Sequence, residues 1–184
     1  MSVGIIVGHR RGAQGAVAVD GTTEHVWAMR HAGRLRLALL ALGRDSAIFF
    51  RDDDRGGYAR LPSQLNTAGV SCAVALHFNS FGSKKATGSE VLYWHASPRG
   101  HALARTLAAA DDVLGLEDRG DSGTVAIKKG DRGWPLLAKT NMPAVIVEPA
   151  FGSNPEDWRA LTARGADLAA AQAAAIVAWL KDTT

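Results

Sequence analysis

Five short, uninterrupted apolar runs, separated by helical patterns, constrain the fold of this chain more than any other feature. They are Val3 to Val7, Ala47 to Phe50, Cys72 to Leu76, Glu90 to Trp94 and Ala144 to Val147. Their lack of alternation points to strands buried on both faces, the habit of a largely parallel sheet covered by helices. Val125 to Ile127 offers a shorter sixth strand. The expected fold is therefore α/β: a twisted, mostly parallel sheet of five or six strands with helices on both faces. A length of 184 residues, 47% of them hydrophobic and 21% charged, suits one substantial core, so residues 1–184 read as a single domain.

Between the strand runs, Thr22 to Leu42 places Val26, Met29, Gly33, Leu37, Leu40 and Ala41 at helical spacing, with Gly43 as a stop. A second helix is expected from Pro98 through Leu103, Leu107 and Leu114 to Gly115. A third closes the chain on Leu168, Ala175, Ile176, Trp179 and Leu180. The stretch RDDDRGG and residues 117–133 are rich in charge and glycine and read as loops.

Several function classes lose support at this level. No apolar run approaches the roughly 20 residues needed to span a bilayer. The opening MSVGIIVGHRRG lacks the marks of a secretory signal, which predicts a chain that starts in the cytoplasm. Cys72, the one cysteine, allows no internal disulfide and sits in an apolar run as a buried structural thiol. A net charge of +3 is a mild excess, the basic residues are scattered, and no helix-turn-helix or RNA-binding signature is present, so nucleic acid is not the expected partner.

Three strand runs end on residues that bind metals or move protons: VGIIVG leads into His9, CAVAL into His77 and AVIV into Glu148. Ligands of open α/β sheets bind beyond the carboxyl ends of strands, so these side chains can converge. Glu24 opens the first helix, where a carboxylate is also favoured simply by the helix dipole. Two imidazoles and one carboxylate form a common catalytic zinc shell with a fourth position for water, and a Glu outside the shell can act as general base. Glu148 ends an apolar strand, so its carboxylate needs a partner or a proton; a salt bridge to a nearby Arg is the structural alternative to catalysis.

These segments resemble the zinc-dependent N-acetylmuramoyl-L-alanine amidases of bacterial cell-wall hydrolases and phage endolysins, over nearly the whole length. GHRRGAQGA followed by Glu24 resembles the family's Gly-His, glycine-rich loop and downstream glutamate. RDDDRGGYARLPSQLN, ending on Asn66, is similar to its Arg-Asp stretch, LHFNS to its second histidine motif, TGSEVLYW to the next strand, and TNMPAVIVEPAFGSNPED to its catalytic-glutamate segment. The resemblance implies one zinc per chain on His9, Glu24 and His77, with Glu148 as general base and acid. It implies that Asn79 contacts substrate or orients the site. The implied substrate is peptidoglycan, cut between N-acetylmuramic acid and L-alanine, and the implied setting is a one-domain phage or prophage lysin held in the cytoplasm until release to the wall. A zinc carboxypeptidase or other amidohydrolase, and a wall-binding module without catalysis, are the competing functions.

Two departures from the family pattern stand out. Arg10 and Arg11 replace glycines after the first histidine, where they are expected to reshape the cleft floor or meet substrate carboxylates. Pro149, Ala150 and Phe151 replace the usual Leu-Gly-Phe, which leaves the backbone after Glu148 open. His25, His31, His95 and His101 are expected at surface or rim positions, with His25 the rival to Glu24 by adjacency. Trp27, Trp158 and Trp179 fit helix packing, whereas Trp134 is expected in a loop lining a glycan groove. The acidic run Asp52 to Asp54 lacks the spacing of a calcium loop and reads as a solvated turn.

Overall fold

The computed structural model describes residues 2–51 and 60–182, so the acidic run Asp52 to Asp54 and most of RDDDRGG lie outside the described residues. Six strands, β1 (Val3–Val7), β2 (Ser46–Phe49), β3 (Cys72–Leu76), β4 (Glu90–Trp94), β5 (Thr124–Ile127) and β6 (Ala144–Glu148), form one sheet in the order β2-β1-β3-β6-β4-β5. Every neighbouring pair is parallel except β4 with β6. The helices are α1 (Glu24–Ala41), α2 (Leu61–Ala68), α3 (Pro98–Asp111), α4 (Trp134–Lys139), α5 (Pro155–Ala163) and α6 (Gly165–Asp182), with a 3-10 turn at Asp112–Leu114.

Strand pleating explains why the runs do not alternate. Val3, Ile5 and Val7 of β1, Cys72, Val74 and Leu76 of β3, and Val145 and Val147 of β6 join the core under α1, α3 and α6. Ile6, Ala73, Ala75, Ala144 and Ile146 turn to the other face, under Leu61 and Leu65 of α2 and Leu136 and Leu137 of α4. Both faces are therefore apolar and covered. The exception is β2, expected to be buried but half-exposed, with Phe50 beyond it 51% exposed. It is an edge strand, hydrogen-bonded only to β1.

Helix α1 packs on a different face from the one its hydropathy suggests. Trp27, Ala28, His31, Ala32, Leu35 and Leu39 are buried, whereas Met29, Leu37 and Leu40 are 49%, 68% and 63% exposed. The helix carries apolar residues on two sides, and the buried side is lightened by alanines and a histidine. Periodicity alone cannot choose between such faces.

That histidine also corrects an expectation. His31 is not a surface residue: it is 1% exposed and stacks on Trp27 with ring centroids 5.0 Å apart. Its Nε2 lies 2.8 Å from Gln172 Oε1, and Gln172 Nε2 donates to Asp111 Oδ1 at 2.8 Å, which ties α1, α6 and α3 together through one buried amide. Cys72 is buried as expected, and burial pushes its thiol up to about 12.

Burial drives His31 down to about 4 and Asp111 up to about 8, so both are neutral over much of the range between. Unfolding lets His31 take up a proton below about 6.5, so its contribution to stability is lost as pH falls from there toward 4. Unfolding lets Asp111 release its proton above about 3.9, so stability is also lost as pH rises from there toward 8. Asp111→Asn retains an acceptor for Gln172 and removes the second effect. In thermal unfolding, the variant should gain Tm relative to the parent at pH 8 and gain less or nothing at pH 5.

Candidate active site

Strand order places three chemistry-bearing residues side by side. β1, β3 and β6 are consecutive parallel neighbours, and His9, His77 and Glu148 stand at or just beyond their carboxyl ends. β2 and β3 flank β1 on opposite sides, so the crevice between β1 and β3 is a point where the chain changes winding direction, the usual binding position in such sheets.

Glu24 joins them from above as the first residue of α1. Thr23 caps that helix, its hydroxyl accepting from Val26 N, and the Glu24 carboxylate points back into the crevice. Its Oε2 lies 2.8 Å from His9 Nε2 and its Oε1 lies 2.7 Å from His77 Nδ1. One donor atom from each of the three lies within 4.8 Å of the others. Burial alone would raise the Glu24 carboxyl, but hydrogen bonds from His77 and His9 outweigh it and hold the group down at about 2. An anionic carboxylate between two imidazoles is a donor set suited to a divalent ion such as zinc. His25, the rival to Glu24, turns away: it is buried, and its Nδ1 meets Gly8 O at 3.0 Å.

Two backbone features hold the triangle open. His9 adopts φ 59°, a left-handed conformation rare outside glycine, which swings its ring off the line of β1. Gly15, at φ 78°, lies so close that an added Cβ would stand 2.6 Å from His9 Nε2 and 2.7 Å from Glu24 Oε2. Arg10 and Ala13 exchange backbone hydrogen bonds in the intervening turn. Neither Arg10 nor Arg11 lines the cleft, which measures about 350 Å³.

Glu148 lines the same cleft and is 4% exposed. Sequence left open whether such a carboxylate would be reactive or salt-bridged; it is paired, with Arg132. Nη1 donates to Oε1 at 3.0 Å and Nη2 to Oε2 at 2.7 Å. Burial nevertheless raises the Glu148 carboxyl to about 8, with the Arg132 guanidinium opposing and the Glu90 and Glu24 carboxylates adding to the rise. The pairing and the upward shift pull in opposite directions. Burial prevails, since the group is almost wholly removed from water whereas the Arg132 side chain is 55% exposed.

Asn79 lies two residues past His77 and is 8% exposed. Its Nδ2 donates to Glu90 Oε1 at 2.9 Å and its Oδ1 accepts from Ser80 N, which favours orientation of the site over substrate contact. Its backbone also sets the course of the chain beyond Glu148: Asn79 N donates to Ala150 O and Gly152 N to Asn79 O, so the Pro149-Ala150-Phe151 segment continues beside the His77 strand. Asp157 anchors that segment by accepting from Phe151 N, Gly88 N and Thr87 Oγ1.

Sequence reasoning missed Glu90, Arg119 and Arg132. Glu90 was visible only as a charged residue heading an apolar strand, and the arginines lay in a segment read as loop. Trp134 is corrected too: it begins α4, packs on the core under α2 and α4, and carries Lys139 over its ring at 5.4 Å, outside the cleft lining. His95 is exposed as expected, and His101 stacks half-buried on Tyr93.

The closeness at Gly15 has a measurable consequence. Gly15→Ala should push His9 and Glu24 apart and strain the turn, lowering zinc affinity by at least ~10-fold, the scale of a disturbed ligand support. Isothermal titration with zinc against the parent would read this, and an unchanged affinity would show that the close approach does not shape the donor set.

The sequence matches the profile of a family described as N-acetylmuramoyl-L-alanine amidase over residues 3–178. A curated relative named "Probable cell wall amidase LytH", from Staphylococcus saprophyticus, is 30% identical over 165 residues, covering 84% of this chain and 49% of its own, so the chain spans about half that relative's length. Among solved structures, the N-acetylmuramoyl-L-alanine amidase of Clostridium difficile 630 superposes with a TM-score of 0.83 at 20% identity, covering 100% of this chain and 98% of that one. The N-acetylmuramyl-L-alanine amidase of Mycobacterium smegmatis superposes at 0.83 with 22% identity, covering 99% and 97%. Among the described residues, no helix is long and apolar enough to cross a membrane. On the strength of the match over residues 3–178, the chain belongs to the N-acetylmuramoyl-L-alanine amidase family.

Proposed function

We propose that residues 1–184 act as one catalytic domain that hydrolyses the amide bond between N-acetylmuramic acid and L-alanine in peptidoglycan. The observation that carries this reading is the convergence of His9, Glu24 and His77 in the cleft that also holds Glu148, in a chain of this family. His9, Glu24 and His77 would hold one zinc ion per chain, and their two nitrogens and one carboxylate leave room for a fourth ligand. When bound, zinc supplies Lewis acidity, polarising a carbonyl and making water easier to deprotonate.

The proton traffic belongs to Glu148. A carboxylate raised toward 8 by burial takes a proton from attacking water more readily than an ordinary one. In its protonated form it can return that proton to the departing L-alanine amine, so one group serves as base and then acid. Glu90 is directed away from this task, since Asn79, Arg119 and Arg132 all donate to its carboxylate. A lytic role of endolysin type is part of the same proposal. A structural neighbour with a TM-score of 0.83 and 20% identity is the catalytic domain of an endolysin targeting Clostridium difficile.

Digestion of purified peptidoglycan followed by mass spectrometry should reveal stem peptides with a free L-alanine amine and uncut glycan strands; new reducing sugars or cleaved cross-links would refute the assignment. Chelation should abolish turnover, and added zinc should restore it.

The two carboxylates should separate by role. Glu24→Ala is expected to lower zinc content and to regain some activity in excess zinc. Glu148→Gln should fold and bind zinc like the parent while kcat drops ~10²–10⁴-fold, the usual share of a general acid–base group. Zinc loss in Glu148→Gln with activity kept in Glu24→Ala would reverse the assignment.

A further inference from the structure

In the antiparallel pairing of β4 with β6, Glu90 stands directly opposite Glu148. Both are buried, at 7% and 4% exposure. Like charges facing each other across two strands are unfavourable, and a carboxylate buried without a partner carries a desolvation cost. A sheet has no use for such a pair, and an apolar residue at either position would remove the conflict.

Arg132 reconciles the two groups. Its Nη2 bridges them, at 2.6 Å from Glu90 Oε1 and 2.7 Å from Glu148 Oε2, while Nη1 reaches Glu148 Oε1 at 3.0 Å. Glu90 is held in turn by Arg119 Nε at 3.0 Å and Asn79 Nδ2 at 2.9 Å. The loop that carries Arg132 is tied down on both sides of it. Asp131 Oδ2 accepts from Lys128 N at 2.7 Å to close the turn, and Gly133, at φ 76°, lays its backbone on Ile146, two residues before Glu148, where any Cβ would collide.

Resting on the amidase reading above, we propose that Arg132, anchored by Glu90, is the positioning residue that fixes the Glu148 carboxylate for proton transfer. A lone carboxylate rotates about its last side-chain bond, and small misplacements of a reacting group are costly in rate. A planar fork bonded to both oxygens fixes the carboxylate plane, which a lysine ammonium cannot do. Glu90 supplies the charge that keeps a half-exposed arginine in place. Among the described residues, Arg132 from the loop after β5, Glu90 from β4 and Glu24 from α1 act most strongly on Glu148, and Arg51, His9 and His77 line the same cleft.

The test uses the full chain and the variants Arg132→Gln, Arg132→Lys and Glu90→Gln, assayed on a soluble muropeptide alongside zinc content. Zinc content should match the parent in all three. In Arg132→Gln, kcat should fall about 10–100-fold, the range typical of partners that orient an active-site group, with KM nearly unchanged and the acid limb of the kcat profile moved to higher pH. Arg132→Lys should restore the position of that limb but only part of the rate; in Glu90→Gln kcat should fall between parent and Arg132→Gln, with the limb moved to lower pH because the Glu90 charge that raises Glu148 is gone. Parental kcat and pH profile in both Arg132 variants would overturn the proposal. So would an effect confined to KM, which would make Arg132 a substrate-binding group. A carboxyl carbon NMR titration, with the Glu148 signal assigned by its loss in Glu148→Gln, reads the same contact without turnover. Its midpoint should rise in Arg132→Gln, and an unmoved midpoint counts against the proposal. Absence of a free L-alanine amine from the parent's digest would refute the amidase reading, while the titration would still decide what Arg132 does to Glu148.

Discussion

The parallel pairing of β1, β3 and β6 is the constraint on which the rest of this protein depends. Adjacent strands lie about 4.8 Å apart, so residues leaving the ends of neighbouring strands start at a spacing close to that between ligands of one metal ion. His9 and His77, just past the ends of β1 and β3, have ring centroids 5.1 Å apart. The sheet thus sets the starting separation, which the left-handed backbone at His9 then adjusts. The first helix then needs only to deliver Glu24 at its N-terminus, where the dipole favours a negative charge.

Placing carboxylates at such a point is expensive, and the chain meets the cost in three ways. Glu24 is held ionised by two imidazoles. Glu90 is held by two arginines and an amide. Glu148 has one exposed arginine and remains the group whose proton is most loosely assigned, raised by burial and opposed by Arg132. Similar residues in one neighbourhood acquire different chemistry because their partners differ, and the least completely neutralised of them is the one suited to move protons.

The sheet and the His9, Glu24, His77 and Glu148 cluster were legible in the sequence because each left a local mark: an apolar run ending on a polar residue, or a carboxylate at a helix start. Glu90 and Arg132 left none. The meaning of Glu90 comes from a pairing between strands 58 positions apart in sequence number, Glu90 opposite Glu148, and that of Arg132 from a turn that returns to the sheet face. The packed face of α1 was misread for a different reason. Its exposed side carries Met29, Leu37 and Leu40, more hydrophobic than the alanines of the buried side, and the choice between them was made by α6 and the sheet.

That buried side connects the core to the candidate site. Trp27 lies one turn beyond Glu24 and packs edge-on against Phe78 at 6.0 Å, and Phe78 directly follows His77. Phe78 in turn meets Trp158 of α5 at 5.3 Å, behind the segment that carries Glu148. One aromatic row, Trp27 to Phe78 to Trp158, therefore links α1, the segment after β3 and α5. Close-packed interiors transmit displacement, because a shifted ring leaves either an overlap or a void. A substitution at Trp27 or Trp158, neither of which lines the cleft, is therefore expected to reach the site through Phe78, which does.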